Sequence, residues 1–284
     1  MVTEVFEWLR DTKGIEIVTV EINFPVESKK QILEAVSCAI EEHGNVKLCV
    51  FSHITSMPSV LLPVEELVAM VKASDRNPNA LVLIDGAHAP GLVPINILQI
   101  GADYYTGNLH KWCFCPKGCA FLWTRRELQK WTELVPTVIG STKLHGYEDR
   151  FAYTGTRDYT AFATIPAALE FCASLGGHKA IAEYNHDLII AGAGHCAKEW
   201  GTQLIAPKDM LTSIADVVLP TQNKDKIEKM CSKLQEFFNT FIICTSYKMH
   251  GLPEKIWVVR LSCQIYLEKS DFVLLAERVL NLLQ

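Results

Sequence analysis

Along the first 123 residues the chain alternates between short apolar runs and longer stretches with helical spacing. Ile15-Glu-Ile-Val-Thr-Val20 reads as a β-branched strand. Glu27 to His43 reads as a helix, with Ile32, Leu33, Val36 and Ile40 on one face and Gly44 closing it. Leu48-Cys-Val-Phe51 is a buried strand, and Pro63 to Ser74 a helix with proline near its start. Leu81-Val-Leu-Ile84 forms an apolar strand that ends at Asp85, and Asp103-Tyr-Tyr-Thr106 follows as another. Cys119-Ala-Phe-Leu-Trp123 is a strand launched from the turn at Pro116-Lys-Gly118. This alternation predicts a mostly parallel α/β sheet with helices on both faces.

Beyond residue 124 the rhythm changes. Arg125 to Leu134 reads as helical and Pro136 to Arg150 as a loop segment. Thr160 to Leu175 and Lys179 to Trp200 are long helical patterns. Helices at Lys224 to Phe238 and Ser270 to Leu283 then mix with strands at Ser213 to Leu219 and Ile256 to Leu261. The expected division is a large α/β domain over residues 1–135 and a smaller α+β domain over 136–284, in line with roughly one domain per ~150 residues.

Composition narrows the function classes. Lys and Arg number 27 against 32 Asp and Glu, a net charge of −5, so no basic footprint for a nucleic-acid partner is expected. No apolar run approaches the ~18 to 20 residues that cross a bilayer, and the first ten residues lack a signal peptide's basic-then-apolar layout. A cytoplasmic address without a membrane partner is the expectation. Ten cysteines are scattered through the chain. Cys113, Cys115 and Cys119 cluster as C-x-C-x3-C, without the paired C-x2-C or H-x3-5-H of a structural zinc site, so all ten read as reduced thiols and no metal is expected.

Two residues carry the chemistry of interest. Asp85 stands at the C-terminal end of a buried strand, where open α/β sheets bind ligands, although a turn aspartate before Gly86 is the plainer reading. Lys111 lies in Asn108-Leu-His-Lys-Trp-Cys-Phe114, after the next strand and among aromatic residues. A partly desolvated lysine loses basicity and can form a Schiff base with an aldehyde. An aspartate and a lysine converging at strand ends suggest a pyridoxal 5'-phosphate site, with the lysine making the imine and the carboxylate pairing with the pyridinium nitrogen.

Three stretches give a more specific reading: Asp85-Gly-Ala-His-Ala-Pro-Gly91, Gly101-Ala-Asp-Tyr-Tyr-Thr-Gly-Asn-Leu-His-Lys-Trp112, and Pro116-Lys-Gly118. Together they resemble the core of the class V aminotransferases, and His53-Ile-Thr-Ser-Met-Pro58, Gly155-Thr-Arg-Asp158 and Arg260-Leu-Ser262 follow in the family's order. Within the family the chain is similar to the isopenicillin N epimerase-like and cysteine desulfhydrase-like branch. The resemblance implies a fold-type I pyridoxal-phosphate transferase architecture: a mostly parallel three-layer large domain, truncated at its N-terminal end, with a smaller C-terminal domain. It also implies an enzyme acting on an amino-acid substrate through Lys111, whether as epimerase, carbon–sulfur lyase or aminotransferase.

Residue by residue, the resemblance makes Lys111 the imine lysine, Asp85 the partner of the pyridine nitrogen, and His88 a neighbour of the ring's phenolic oxygen. Asn108 and His110 would contact the phosphate, with Thr55 and Ser56 as weaker cofactor contacts. Thr156 would reach the cofactor of the second subunit of a homodimer, and Arg260 would hold the substrate carboxylate. Cys244 and Cys263 sit in apolar or strand-like settings, which disfavours persulfide chemistry. The family's N-terminal segment, with its phosphate-cradling turn and ring-stacking aromatic, has no counterpart before Val2 to Glu21. The alternative is therefore a truncated, non-catalytic paralogue that keeps the fold and dimer surface but binds cofactor poorly.

Overall fold

The strands Leu48–Ser52 (β1), Leu81–Gly86 (β2), Tyr104–Asn108 (β3) and Ala120–Thr124 (β4) form a sheet in that order. The first three run parallel, and β4 is antiparallel to β3. The computed structural model describes residues 2–130, 134–138, 146–153, 155–249 and 251–283. Helices Val2–Lys13 (α1) and Lys29–Glu42 (α2) precede the sheet, Val64–Lys72 (α3) connects β1 to β2, and Ile97–Ile100 (α4) connects β2 to β3.

Sequence spacing explains this packing. Ile32, Val36 and Ile40 recur every four residues on α2, and Val64, Leu67, Val68 and Val71 fill one face of α3. In α3 the acidic Glu65 and Glu66 occupy the first turn and Lys72 the last, the order that the helix dipole favours. Strand alternation sends Val82, Ile84 and Tyr105 toward these helices, all three fully buried. The opposite face presents Ser52, Asp85 and Thr106 in register across β1, β2 and β3.

After β3 comes the single helical turn Leu109–Trp112 (α5). The rest of the chain adds the helices Tyr147–Ala152 (α6), Thr160–Ala163 (α7), Ile165–Ser174 (α8) and Gly177–Trp200 (α9). A second sheet follows from Ile214–Val218 (β5), Ile243–Lys248 (β6) and Lys255–Ser262 (β7), antiparallel in the order β5-β7-β6. Lys224–Phe238 (α10) and Lys269–Leu283 (α11) complete the chain, with α11 packed on α9 and α10. One apolar core is continuous through both sheets, holding Val82 and Ile84 together with Ala215, Val217 and Val259. The Val26 N–H donates to the Ile205 carbonyl and the Leu61 N–H to that of Met210, so main-chain bonds tie the two sheets' surroundings together.

Several sequence expectations need correction. Ile15 to Val20 is not a strand: the segment has no ladder partner among the described residues, and β-branched composition alone does not satisfy backbone donors. Arg125 to Leu134 is not a helix but a 3-10 turn at Arg126–Leu128, and residues 131–133 lie outside the described residues. The buried Arg150 guanidinium donates to the carbonyls of Gln129, Lys130 and Leu134, the first two being acceptors that a helix there would have used internally. Arg150 itself belongs to α6, so the loop expected over 136–150 ends in helix; residues 139–145 of it lie outside the described residues. The pattern from Thr160 to Leu175 divides into α7 and α8. Pro166 lacks the N–H that would continue the ladder, and the Thr164 hydroxyl donates to the Ala161 carbonyl at 2.8 Å.

Candidate active site

Asp85 is the penultimate residue of β2, and its Oδ1 accepts the Ala87 N–H at 3.0 Å. Only glycine fits next to it, because a Cβ at Gly86 would overlap the ring of Tyr105. Tyr105 is fully buried and its hydroxyl is hydrogen-bonded to Nδ1 of His53 at 2.8 Å, while the His53 N–H donates to the Asp85 carbonyl at 2.8 Å. Burial lowers the pKa of His53 to about 4; burial and the nearby Asp85 charge raise that of Tyr105, so both rings are uncharged at neutral pH. The end of β2 is thereby held by a neutral, apolar-backed support.

Lys111 is carried by α5, directly beyond the end of β3. The backbone N–H groups of Leu109 and His110 and the Nδ1–H of His110 all donate to one carbonyl, that of Cys119, the last at 2.7 Å. That shared acceptor pins the helical turn to the start of β4. Gly91, at φ +87°, lets the turn after β2 approach α5, where a Cβ would stand 2.9 Å from the Trp112 carbonyl oxygen. The approach brings His88 to Lys111, with 3.0 Å between Nε2 and Nζ.

The protonation of that pair follows from its neighbour. Trp112 Nε1 lies 3.3 Å from His88 Nδ1, and an indole N–H can only donate. Nδ1 must therefore accept, which leaves the proton of neutral His88 on Nε2, facing the lysine nitrogen. An N–H facing an amine requires a lone pair, so the relay Trp112 to His88 to Lys111 favours the neutral amine. The electrostatics agree. Burial lowers the pKa of Lys111, with Asp85 pulling it up and Arg260 pushing it down. Burial lowers that of His88 to about 4, and the Arg260 charge, like any proton held on Lys111, pushes the same way.

His88 is expected to stay neutral throughout the physiological range. An unfolded imidazole takes its proton near 6.5 and the folded one near 4, so the unfolded chain binds more protons in that window. His88 therefore costs stability as pH falls from about 6.5 to about 4, on the order of 3 kcal/mol at the acid end. An NMR titration of the ring should place its midpoint near 4; a midpoint near 6.5 would contradict the relay.

Arg260 comes from the second sheet. Its β7 position pairs in register with Asp216 on β5 and Ile243 on β6. Nη1 donates to the Ser56 hydroxyl at 3.1 Å and to the Ser56 carbonyl at 3.3 Å, whereas Nε is buried with no hydrogen-bond partner among the described residues. Oδ2 of the buried Asp216 accepts the Ser59 N–H at 2.6 Å, and Oδ1 is likewise without a partner. Burial raises the Asp216 pKa to about 6, against the pull of the Ser59 hydrogen bonds and Arg260. Asp216 and Arg260 thus grip the Ser56–Ser59 segment from the second sheet. Sequence reasoning missed Asp216, although an acid inside the apolar run Ile214-Ala-Asp-Val-Val218 was a readable signal, since burying a carboxylate is costly.

The structure brings Asp85, His88, Lys111 and Arg260 together, with Asn108 as the residue before α5 and His110 on it. Thr55 is committed to its own turn: its hydroxyl donates to the Pro58 carbonyl and accepts the Val60 N–H at 2.9 Å. Ser56 meets Arg260 as described. Thr156 is exposed in a bend after Gly155, and no described interaction links it to the Lys111 group. Cys113, Cys115, Cys119 and Cys263 are buried, and burial raises the pKa values of Cys113 and Cys263 to about 12.

Comparison with known proteins decides the family. The class-V aminotransferase pattern matches residues 5–274. The chain belongs to that family. Among its class-V relatives, a protein of Oryza sativa subsp. japonica named putative L-cysteine desulfhydrase 1 is 36% identical over 234 residues, 79% of this chain and 48% of the relative. A probable chloroplastic L-cysteine desulfhydrase of Arabidopsis thaliana is 32% identical over 283 residues, 95% of this chain and 59% of that protein. This class-V chain therefore spans about half the length of the curated relatives it matches. In three dimensions it is similar to a NifS-like protein, with a TM-score of 0.74 at 17% identity over 99% of this chain and 72% of the other. That likeness establishes the fold.

Proposed function

We propose that the chain forms the lysine-bearing part of a pyridoxal-phosphate enzyme that eliminates sulfide from cysteine or a cysteine-like amino acid. The observation that carries this reading is the Trp112–His88–Lys111 relay beside Asp85, which supplies an amine of lowered basicity and a carboxylate at adjacent strand ends. The donor set fits the cofactor: Lys111 for its aldehyde, Asp85 for its pyridine nitrogen, His88 near its phenolic oxygen, and Asn108 and His110 for its phosphate. Bound pyridoxal phosphate supplies an aldehyde that captures amines and a ring that accepts an electron pair.

The chain's own residues do the rest. Arg260 holds the substrate carboxylate through its guanidinium fork, oriented by Ser56. Lys111 Nζ takes the proton from the α-carbon, and the freed electron pair forms a Cα–Cβ double bond as the Cβ–S bond breaks. The sulfur leaves as hydrosulfide, and the three-carbon remainder takes up water to give pyruvate and ammonia. Asp85 keeps its negative charge against the pyridine nitrogen. Elimination fits better than persulfide formation, because Cys263 is a buried thiol held away from ionisation and Cys244 stands on the opposite face of the second sheet from Arg260. The names of the desulfhydrase relatives point the same way. Supplying L-cysteine to the pyridoxal-phosphate-loaded protein should release sulfide and pyruvate in equal amounts. Alanine as the carbon product would overturn the elimination.

Two smaller outcomes follow. Arg260→Lys removes the fork but keeps the charge, so KM should rise by roughly tenfold to a hundredfold with a smaller change in kcat. An unchanged KM would take Arg260 out of substrate binding. We also propose a homodimer in which the exposed Thr156 serves the second subunit's cofactor, as the family resemblance implies. Thr156→Val should then weaken cofactor retention more than dimerisation, measured by dialysis and light scattering; a stable monomer retaining full cofactor would exclude the arrangement. Among the described residues no helix is long and apolar enough to cross a membrane. The ten free cysteines suit a reducing compartment such as the cytoplasm, the location proposed here.

A further inference from the structure

Cys231 and Cys244 are 13 positions apart in the chain, yet their sulfur atoms lie 3.5 Å apart. α10 supplies Cys231, and β6, the edge strand of the second sheet, supplies Cys244. Both are half-buried and line a cavity of about 400 Å³ together with Ile227, Phe241, Ile242 and Trp257. Cys244 is in register with Val259, whereas Arg260 is in register with Ile243, so the thiol pair stands on the opposite face of the sheet from the candidate active site. Among the described residues no group of three or more His, Cys, Asp and Glu side chains is placed to hold a metal ion.

We propose that Cys231 and Cys244 are a redox-active dithiol that a hydroperoxide converts into an intramolecular disulfide. The Cys231 thiolate attacks a peroxide oxygen, the O–O bond breaks, and the sulfur becomes a sulfenic acid while an alcohol or water leaves with a proton. Cys244 gives up its proton and attacks that sulfur; the S–S bond forms and the S–O bond breaks, releasing water. Two thiols and one hydroperoxide thus yield one disulfide, one alcohol or water, and one further water. The roles follow from the contact. When Cys231 ionises, the Cys244 S–H donates to it, which lowers the pKa of Cys231 and raises that of Cys244. The other shifted cysteines move upward under burial alone or with like neighbours, as Cys196 does to about 12. The product staples α10 to the edge strand.

The full chain, reduced and freed of reductant, is treated with stoichiometric hydrogen peroxide, alkylated with iodoacetamide and mapped by peptide mass spectrometry. The expected result is a linked Cys231–Cys244 peptide pair, loss of alkylation at these two positions, and its recovery after dithiothreitol. In Cys244→Ser the reaction should halt at a sulfenic acid on Cys231 that dimedone traps; in Cys231→Ser, Cys244 should stay alkylatable. Continued alkylation of both wild-type thiols, over-oxidation without linkage, or linkage to other cysteines would overturn the proposal. None of these outcomes depends on the cofactor or on turnover.

Discussion

Replacing Lys111 with arginine is expected to reduce turnover of the pyridoxal-phosphate-loaded protein by about 10⁴-fold or more, equivalent to at least ~5 kcal/mol of barrier. Arginine is similar in length but stays protonated, so it can neither form the imine nor give up a proton near neutral pH. It also reverses the direction required at His88. A guanidinium has no lone pair to accept the Nε2–H that Trp112 forces toward it, so the 3.0 Å contact between His88 and residue 111 should be lost. The fold should survive, because α5 is pinned through the Cys119 carbonyl rather than through the lysine side chain. Circular dichroism and a steady-state assay together check this. Activity within tenfold of the unmodified protein would remove Lys111 from the proton transfer.

Asp85→Asn is expected to cost roughly 10³-fold in kcat, about 4 kcal/mol, with cofactor binding retained. An amide matches the carboxylate in size and can still accept the Ala87 N–H, so the turn after β2 should keep its shape. What disappears is the fixed negative charge. Asp85 also raises the pKa of Lys111, in opposition to burial and Arg260. In the variant the lysine should therefore become still less basic, and the acid limb of the pH–rate profile should move to lower pH. A loss below about tenfold, or an acid limb that does not move, would show that the charge is not used.

Much of this was legible in the sequence because the relevant signals are local. Asp85 ends an apolar run and Lys111 follows the next strand, so strand periodicity alone placed both at one end of a parallel sheet. The resemblance to class V aminotransferases then named His88, Asn108, His110 and Arg260. Pairing is what the pattern could not supply. Ile15 to Val20 has strand composition without a pairing neighbour among the described residues, whereas β6, with its mixed Ile-Cys-Thr-Ser-Tyr-Lys sequence, is a strand because β7 pairs with it throughout. Long-range side-chain bonds were equally hidden. Arg150 reads as an ordinary polar residue of a loop, yet the carbonyls of Gln129 and Lys130, which a helix would need, are bonded to it. The turn chemistry of Thr55 was readable, and its hydroxyl closes the turn as a simple Thr-Ser turn would.

The most direct test of the account is covalent. Pyridoxal phosphate is added to the purified chain, the mixture is reduced with borohydride, and the protein is digested and sequenced by mass spectrometry. A pyridoxyl group is expected on the Lys111 peptide at near-stoichiometric yield, absent when Lys111 is replaced by alanine. Labelling scattered over surface lysines, with no preference for Lys111, would contradict it.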